Sequence, residues 1–77
     1  MDNIQVKRLR VRELLPEYGD RVRTMTVEEA QELDYKELIT VLPNGKVVNS
    51  WDELLEGIHE YNQEEIDVVR FAPLFGG

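Results

Sequence analysis

The sequence predicts a small α+β domain with elements in the order strand, strand, helix, strand, strand, helix, strand. Three observations carry that expectation. Apolar and polar residues alternate at period two through residues 4–14 and 21–25, and a short apolar run occupies 66–71. Two Ser/Thr-x-x-Glu boxes, Thr26-Val27-Glu28-Glu29 and Ser50-Trp51-Asp52-Glu53, each open a stretch with apolar residues at helical spacing. Between them, Pro43-Asn44-Gly45-Lys46 separates two apolar runs in the manner of a hairpin turn.

Taken in order, residues 4–14 read as a basic first strand. Ile4 and Val6 share one phase while Leu9 and Val11 share the other, so the alternation slips once near Lys7 and Arg8. A slip sends every later side chain to the opposite face, which calls for a bulge there or for a strand that begins after it. Leu15-Pro16-Glu17-Tyr18-Gly19-Asp20 has the composition of a turn. Residues 21–25 then resume the alternation with Val22 and Thr24 in phase, completing a hairpin. The first capping box starts a short helix at Val27, with Thr26 as N-cap and Glu29 at N3. Val27, Ala30 and Leu33 fall on one face, and this helix ends near Leu33 or Asp34.

Residues 38–42 and 47–48 form the next two strands. Ser50 caps a second, dominant helix to about Tyr61, in which Trp51, Leu54, Leu55, Ile58 and Tyr61 make an amphipathic stripe that belongs to the core. Gly57 inside that helix costs about 1 kcal/mol against alanine, which implies close approach to the sheet or a loosened last turn. Residues 62–65 connect to the last strand, 66–71. If 21–25 were not a strand, the order would become βαββαβ and a ferredoxin-like sandwich would compete.

Seventy-seven residues hold one domain, and without cysteine they form neither a disulfide nor a thiolate metal site. Packing alone must hold a chain that hides only about 60% of its unfolded surface, so a net stability of a few kcal/mol is expected. The net charge of −7 is uneven: residues 1–27 carry six bases against four acids, and residues 28–77 carry three against twelve. Such acidity argues against nucleic acid, whose phosphates demand a basic footprint. No window approaches a membrane span and no apolar leader opens the chain, so a cytoplasmic protein is expected, with no membrane partner.

The chain ends Phe71-Ala72-Pro73-Leu74-Phe75-Gly76-Gly77. Pro73 cannot donate a ladder hydrogen bond, so it marks where the last strand stops and an extended tail begins. Two glycines suit a tail that threads a narrow channel in another protein, where a Cβ would clash. At ordinary glycine usage, a pair at one given place is about a 1-in-200 event, which favours a functional reading over chance.

Phe71, Pro73, Gly76 and Gly77 after a short apolar strand form a pattern that resembles the tail of the ubiquitin-like sulfur carriers, the family of the small subunit of molybdopterin synthase and the thiamine sulfur-carrier protein. The resemblance implies a β-grasp (ubiquitin-like) domain over residues 1–72, with first and last strands parallel at the sheet centre, and an extended diglycine tail over 73–77. It implies that the Gly77 carboxylate is adenylated by an ATP-dependent partner of the ubiquitin-activating type. The adenylate then becomes a thiocarboxylate for a sulfur-accepting synthase in cofactor biosynthesis. ATP would be used by the partner; the chain would bind no cofactor tightly, would not itself be an enzyme, and would be a monomer on its own. Phe71, Pro73, Leu74, Phe75 and Gly76 would dock the tail, while Arg10, Arg12 and Arg70 would lie near it and steer the encounter. The chain departs from the family in its short first helix and in Gln63-Glu64-Glu65-Ile66-Asp67, which stands where the family has a Gly-Asp turn.

Two other functions compete: a protein modifier joined through Gly77 to target lysines, and an acidic interaction domain that binds cations. The acid pairs Glu28/Glu32, Asp52/Glu56 and Glu56/Glu60 fit solvated helix faces better than a calcium site, which wants six to eight oxygens. His59 has no serine or cysteine nucleophile in a recognisable setting and no catalytic role is assigned to it. The five glycines make no phosphate-binding pattern, and no metal site is expected.

Overall fold

The slip in the first alternating run is where the first strand starts. In the computed structural model, which describes residues 4–15 and 19–73, β1 spans Arg8–Leu15. The successive amides of Lys7 and Arg8 both donate to the Glu64 carbonyl, at 2.8 and 3.0 Å. One extra residue is thereby taken up, and Val6 and Leu9 are both buried although they stand three positions apart, which in a regular strand would put them on opposite faces.

Strands β2 (Gly19–Thr26), β3 (Ile39–Val41), β4 (Val47–Val48) and β5 (Glu65–Phe71) complete a mixed five-stranded sheet in the order β2-β1-β5-β3-β4. β1 and β5 run parallel, with Leu9 across from Ile66 and Val11 across from Val68; the other pairs are antiparallel. Residues 21–25 thus lie within a strand, which sets aside the ordering without it. One α-helix, α1 (Trp51–Ile58), packs on one side of the sheet. The result is a small α+β domain compatible with a β-grasp or similar fold. Among the described residues no helix is long and apolar enough to cross a membrane.

The first expected helix is instead a 3-10 turn, Glu29–Glu32. Its capping box does form: the Thr26 amide donates to Glu29 Oε1 (2.8 Å) and the Glu29 amide to Thr26 Oγ1 (3.0 Å). But Val27, Ala30 and Leu33 recur every third residue without an i+4 companion, which is the 3-10 period. The amides of Ala30, Gln31 and Leu33 accordingly bond three residues back, and Leu33 turns to extended backbone.

The second helix is capped as expected, with Ser50 Oγ accepting from the Glu53 amide at 3.2 Å. Glu53 returns its carboxylate to the Asn49 amide (3.0 Å), one residue before the cap. The helix stops at Ile58, not Tyr61, because the amides of His59, Glu60 and Tyr61 reach back only three residues. Gly57 is where helix and sheet come closest: a Cβ there would lie 2.5 Å from Leu42 Cδ1. The Trp51 indole donates to the Val27 carbonyl at 2.9 Å and ties α1 to the 3-10 turn, consistent with a core anchor. In the β3–β4 hairpin, Gly45 takes the positive φ (+89°) that the Asn-Gly pair called for.

Candidate functional site

Among the described residues, α1 and the 3-10 turn cover one face of the sheet and nothing covers the other. Burial alternates strictly along β1, where Leu9, Val11 and Glu13 are buried and Arg8, Arg10, Arg12 and Leu14 are exposed. Strand pairing extends that bare face across the molecule. Val22, Arg12, Val69, Val41 and Val47 form one row over all five strands, and Leu14, Phe71 and Ile39 form the next. Leu14, Val22 and Val47 are 37%, 45% and 45% exposed, and the remaining apolar members are half-buried. These seven apolar side chains form one continuous patch rather than scattered surface residues.

Val22 and Thr24 share one phase as expected and look out from the bare face, while Met25, across from Leu9, is the residue that enters the core.

Arg12 sits in the apolar row between Val22 and Val69, and Arg10 is the next residue of β1 on the same face, across from Asp67. Neither arginine makes an ion pair among the described residues. With Val22, Asp67 and Val69 they line a shallow hollow of about 180 Å3. β5 ends at Phe71 on this face, and Ala72 and Pro73 continue half-buried beyond it. The structure therefore sets Arg10, Arg12 and Phe71 on one face, with Phe71 across from Leu14, one row beyond Arg12 and two beyond Arg10. Leu74, Phe75, Gly76 and Gly77 lie outside the described residues.

Arg70 does not belong to this surface. Period two turns it to the covered face, where it is 3% exposed. Its Nη1 donates to Glu13 Oε2 at 2.8 Å, its Nε to Thr40 Oγ1 at 3.2 Å and its Nη2 to the Asp34 carbonyl at 2.5 Å. Glu13 Oε2 also accepts from Arg23 Nη2 at 3.3 Å. A guanidinium desolvated and saturated in this way cannot steer a partner; it ties β5 to β1, β3 and the loop before β3. Among the described residues no buried side-chain polar atom lacks a partner.

The loop next to Arg70 has its own electrostatics. The amides of Glu37 and Lys36 donate to Asp34 Oδ1 (3.0 and 2.9 Å) and hold that carboxyl below its ordinary 3.8, with Arg70 adding to the effect. Burial pushes the Tyr35 phenol above 10.0, against the opposing pull of Arg70, while its hydroxyl donates to the Ala30 carbonyl (2.8 Å).

A second concavity, about 920 Å3, lies between residues 4–8 and the end of α1, lined by Val6, Leu55, Ile58, His59 and Tyr61 among others. It is wide and open. Among the described residues no three His, Cys, Asp or Glu side chains come together to hold a metal ion. What the arrangement offers chemically is recognition: a flat apolar face, two free arginines, and a chain that leaves from its border. No family model, no curated protein and no solved structure matches this chain.

Proposed function

We propose that this chain is a small β-grasp sulfur carrier that partner enzymes dock through the bare sheet face, and that the reacting group is the Gly77 carboxylate. The observation that carries the reading is where β5 delivers the chain. A central strand parallel to β1 brings Phe71 and then Pro73 to the border of an uncovered apolar face that holds Arg10 and Arg12. In this reading a partner grips the face on which Phe71 lies and receives the tail that follows Pro73. Strand order and the parallel β1–β5 pair support the β-grasp reading, since that fold places its first and last strands together at the sheet centre.

A carboxylate is a poor acyl donor because its leaving group would be oxide. On the ATP-dependent partner, a Gly77 carboxylate oxygen attacks the α-phosphorus of ATP, pyrophosphate leaves, and an acyl adenylate forms. Hydrosulfide then adds to the carbonyl carbon, the bond to the AMP oxygen breaks, and a thiocarboxylate remains after the sulfur gives up its proton. A sulfur-accepting synthase would use that group in turn. Leu74 and Phe75 act as apolar contacts in the partner's channel, and Gly76 keeps that channel narrow.

The test is intact mass. The protein from its natural source must first end at Gly77. Incubation with ATP, sulfide and an activating enzyme that works on known carriers should then add about 16 Da, oxygen replaced by sulfur, mapped to Gly77. An unchanged mass across several such enzymes overturns the reading in favour of an acidic interaction domain. Covalent ladders carrying this chain in cell extracts would make it a protein modifier instead.

A further inference from the structure

From the free edge of the sheet we infer a second binding site: the outer edge of β2 accepts an extended segment of another protein, with carboxylates at alternate positions, as a sixth strand. β2 ends the sheet, and its eight residues contain neither proline nor a bulge. The opposite edge, β4, is only two residues long. Long regular edges are templates for strand pairing.

Which groups are free follows from one bond. The Val27 amide donates to the Lys7 carbonyl at 3.1 Å, so odd-numbered residues of β2 turn their main-chain groups toward β1 and even-numbered ones turn outward. At the far end, the outward amide of Thr26 is taken by the Glu29 carboxylate (2.8 Å). The N–H and C=O of Val22 and Thr24 therefore point away from β1, the one strand that β2 pairs with among the described residues. Four main-chain groups in register suit an added strand.

The side chains select the occupant. Arg21 and Arg23 both project to the covered side of the sheet at this edge, and both are exposed. Arg21 makes no ion pair among the described residues, and Arg23 shares a carboxylate that Arg70 already holds more closely. Charges of this kind at an edge ordinarily guard against self-pairing. Here the guard is selective. Two antiparallel copies of β2 centred on Val22 would set Arg21 opposite Arg23, like against like, whereas a strand with acidic residues in that phase would satisfy both. In the other phase, its apolar residues would lie beside Val22, which is 45% exposed.

The test titrates the 15N-labelled chain with a peptide of about eight residues alternating valine and glutamate, beside a valine–lysine peptide of equal length. The acidic peptide should shift the Val22 and Thr24 amides and slow their hydrogen exchange, and N-methylation of its β2-facing amides should abolish both effects. Arg21→Glu, which leaves the core untouched, should weaken the acidic peptide about tenfold and favour the lysine peptide. Equal binding of both peptides by the parent chain, or no response at these two amides at millimolar peptide, overturns the proposal. Concentration-dependent shifts at Val22 and Thr24 without peptide overturn it in favour of a second copy.

Discussion

Glu13 and Arg70 stand directly across from each other on the parallel strands β1 and β5, and their side chains meet at 2.8 Å with both almost wholly out of water. Each is the third member of a buried series, Leu9-Val11-Glu13 on one strand and Ile66-Val68-Arg70 on the other. The pair does two jobs. Thr40, Arg23 and the Asp34 carbonyl complete its hydrogen bonds, so neither charge is left uncompensated. It also fixes register, because sliding β5 by one residue would carry Arg70 to the bare face and leave Glu13 buried with the exposed Arg23 as its only recorded partner.

The first prediction follows from that asymmetry. Removing one partner of a buried pair costs about 3–5 kcal/mol, while replacing both with apolar residues of similar size is often neutral or better. For a domain whose whole stability is on the order of 5 kcal/mol, Arg70→Met alone should leave about 0–2 kcal/mol and move the urea midpoint close to zero denaturant. Adding Glu13→Leu should restore a cooperative urea transition near that of the parent. A single Arg70→Met that costs under about 1 kcal/mol would show that the pair is not buried as described.

Much of this arrangement was legible in the residues themselves. Both Ser/Thr-x-x-Glu boxes became real hydrogen bonds, the Asn-Gly turn took its positive φ, and Gly57 marks a close approach. Other features depend on pairing, which one strand does not encode. Alternation in 21–25 reads equally well with Val22 or Met25 inward, and only the position of Met25 across from Leu9 decides it. The bare face could not be foreseen while two helices were expected. A 3-10 turn with spacing three replaced one of them, leaving a single helix to cover a five-stranded sheet. The inward direction of Arg70 does carry a signal in the residues. It continues the phase of Ile66 and Val68, as Glu13 continues that of Leu9 and Val11, so opposite charges extend two neighbouring apolar series.

Stability should depend on pH through Asp34 and Tyr35 in opposite ranges. Hydrogen bonds from the Glu37 and Lys36 amides depress the folded Asp34 pKa below 3.8, so the unfolded chain binds the proton more readily. The stabilisation from its carboxylate is therefore present above about pH 3.8 and is lost as pH falls through the lower folded value. Burial raises the folded Tyr35 pKa above 10.0, so its contribution is full below pH 10.0 and is lost as pH rises through the folded value. Melting curves across pH should show a shallower acid limb for Asp34→Asn, which keeps an acceptor oxygen, and a shallower alkaline limb for Tyr35→Phe. Limbs parallel to the parent's in both variants would contradict this assignment.

Gly57→Ala sets helix propensity against packing. The substitution gains about 1 kcal/mol of propensity. The new methyl would sit 2.5 Å from Leu42 Cδ1, so the buried Leu42 must leave its place, and overpacking of this kind costs about 1–3 kcal/mol. A net loss of about 1 kcal/mol is expected by denaturant melting, and Leu42→Val in the same chain should relieve part of it. A Gly57→Ala variant more stable than the parent would mean that the Leu42 side chain yields freely.

Charge on the bare face should govern how fast a partner arrives. Arg12 lies in the apolar row between Val22 and Val69, exposed and without an ion pair among the described residues, so it reports to whatever approaches. Arg12→Glu should slow association with the activating partner proposed above several-fold at low salt, and the two rates should converge as ionic strength rises past about 0.5 M, because the effect acts across solvent within a Debye length. Dissociation should change less. Leu14→Ser, by contrast, removes apolar contact and should act mainly on dissociation, with little salt dependence. Arg70 behaves differently from both, since its loss would act through unfolding and reduce the binding-competent fraction without altering the salt slope. Stopped-flow association across a salt series separates the three. An Arg12→Glu variant with an unchanged rate and an unchanged salt slope would move the docking site off this face.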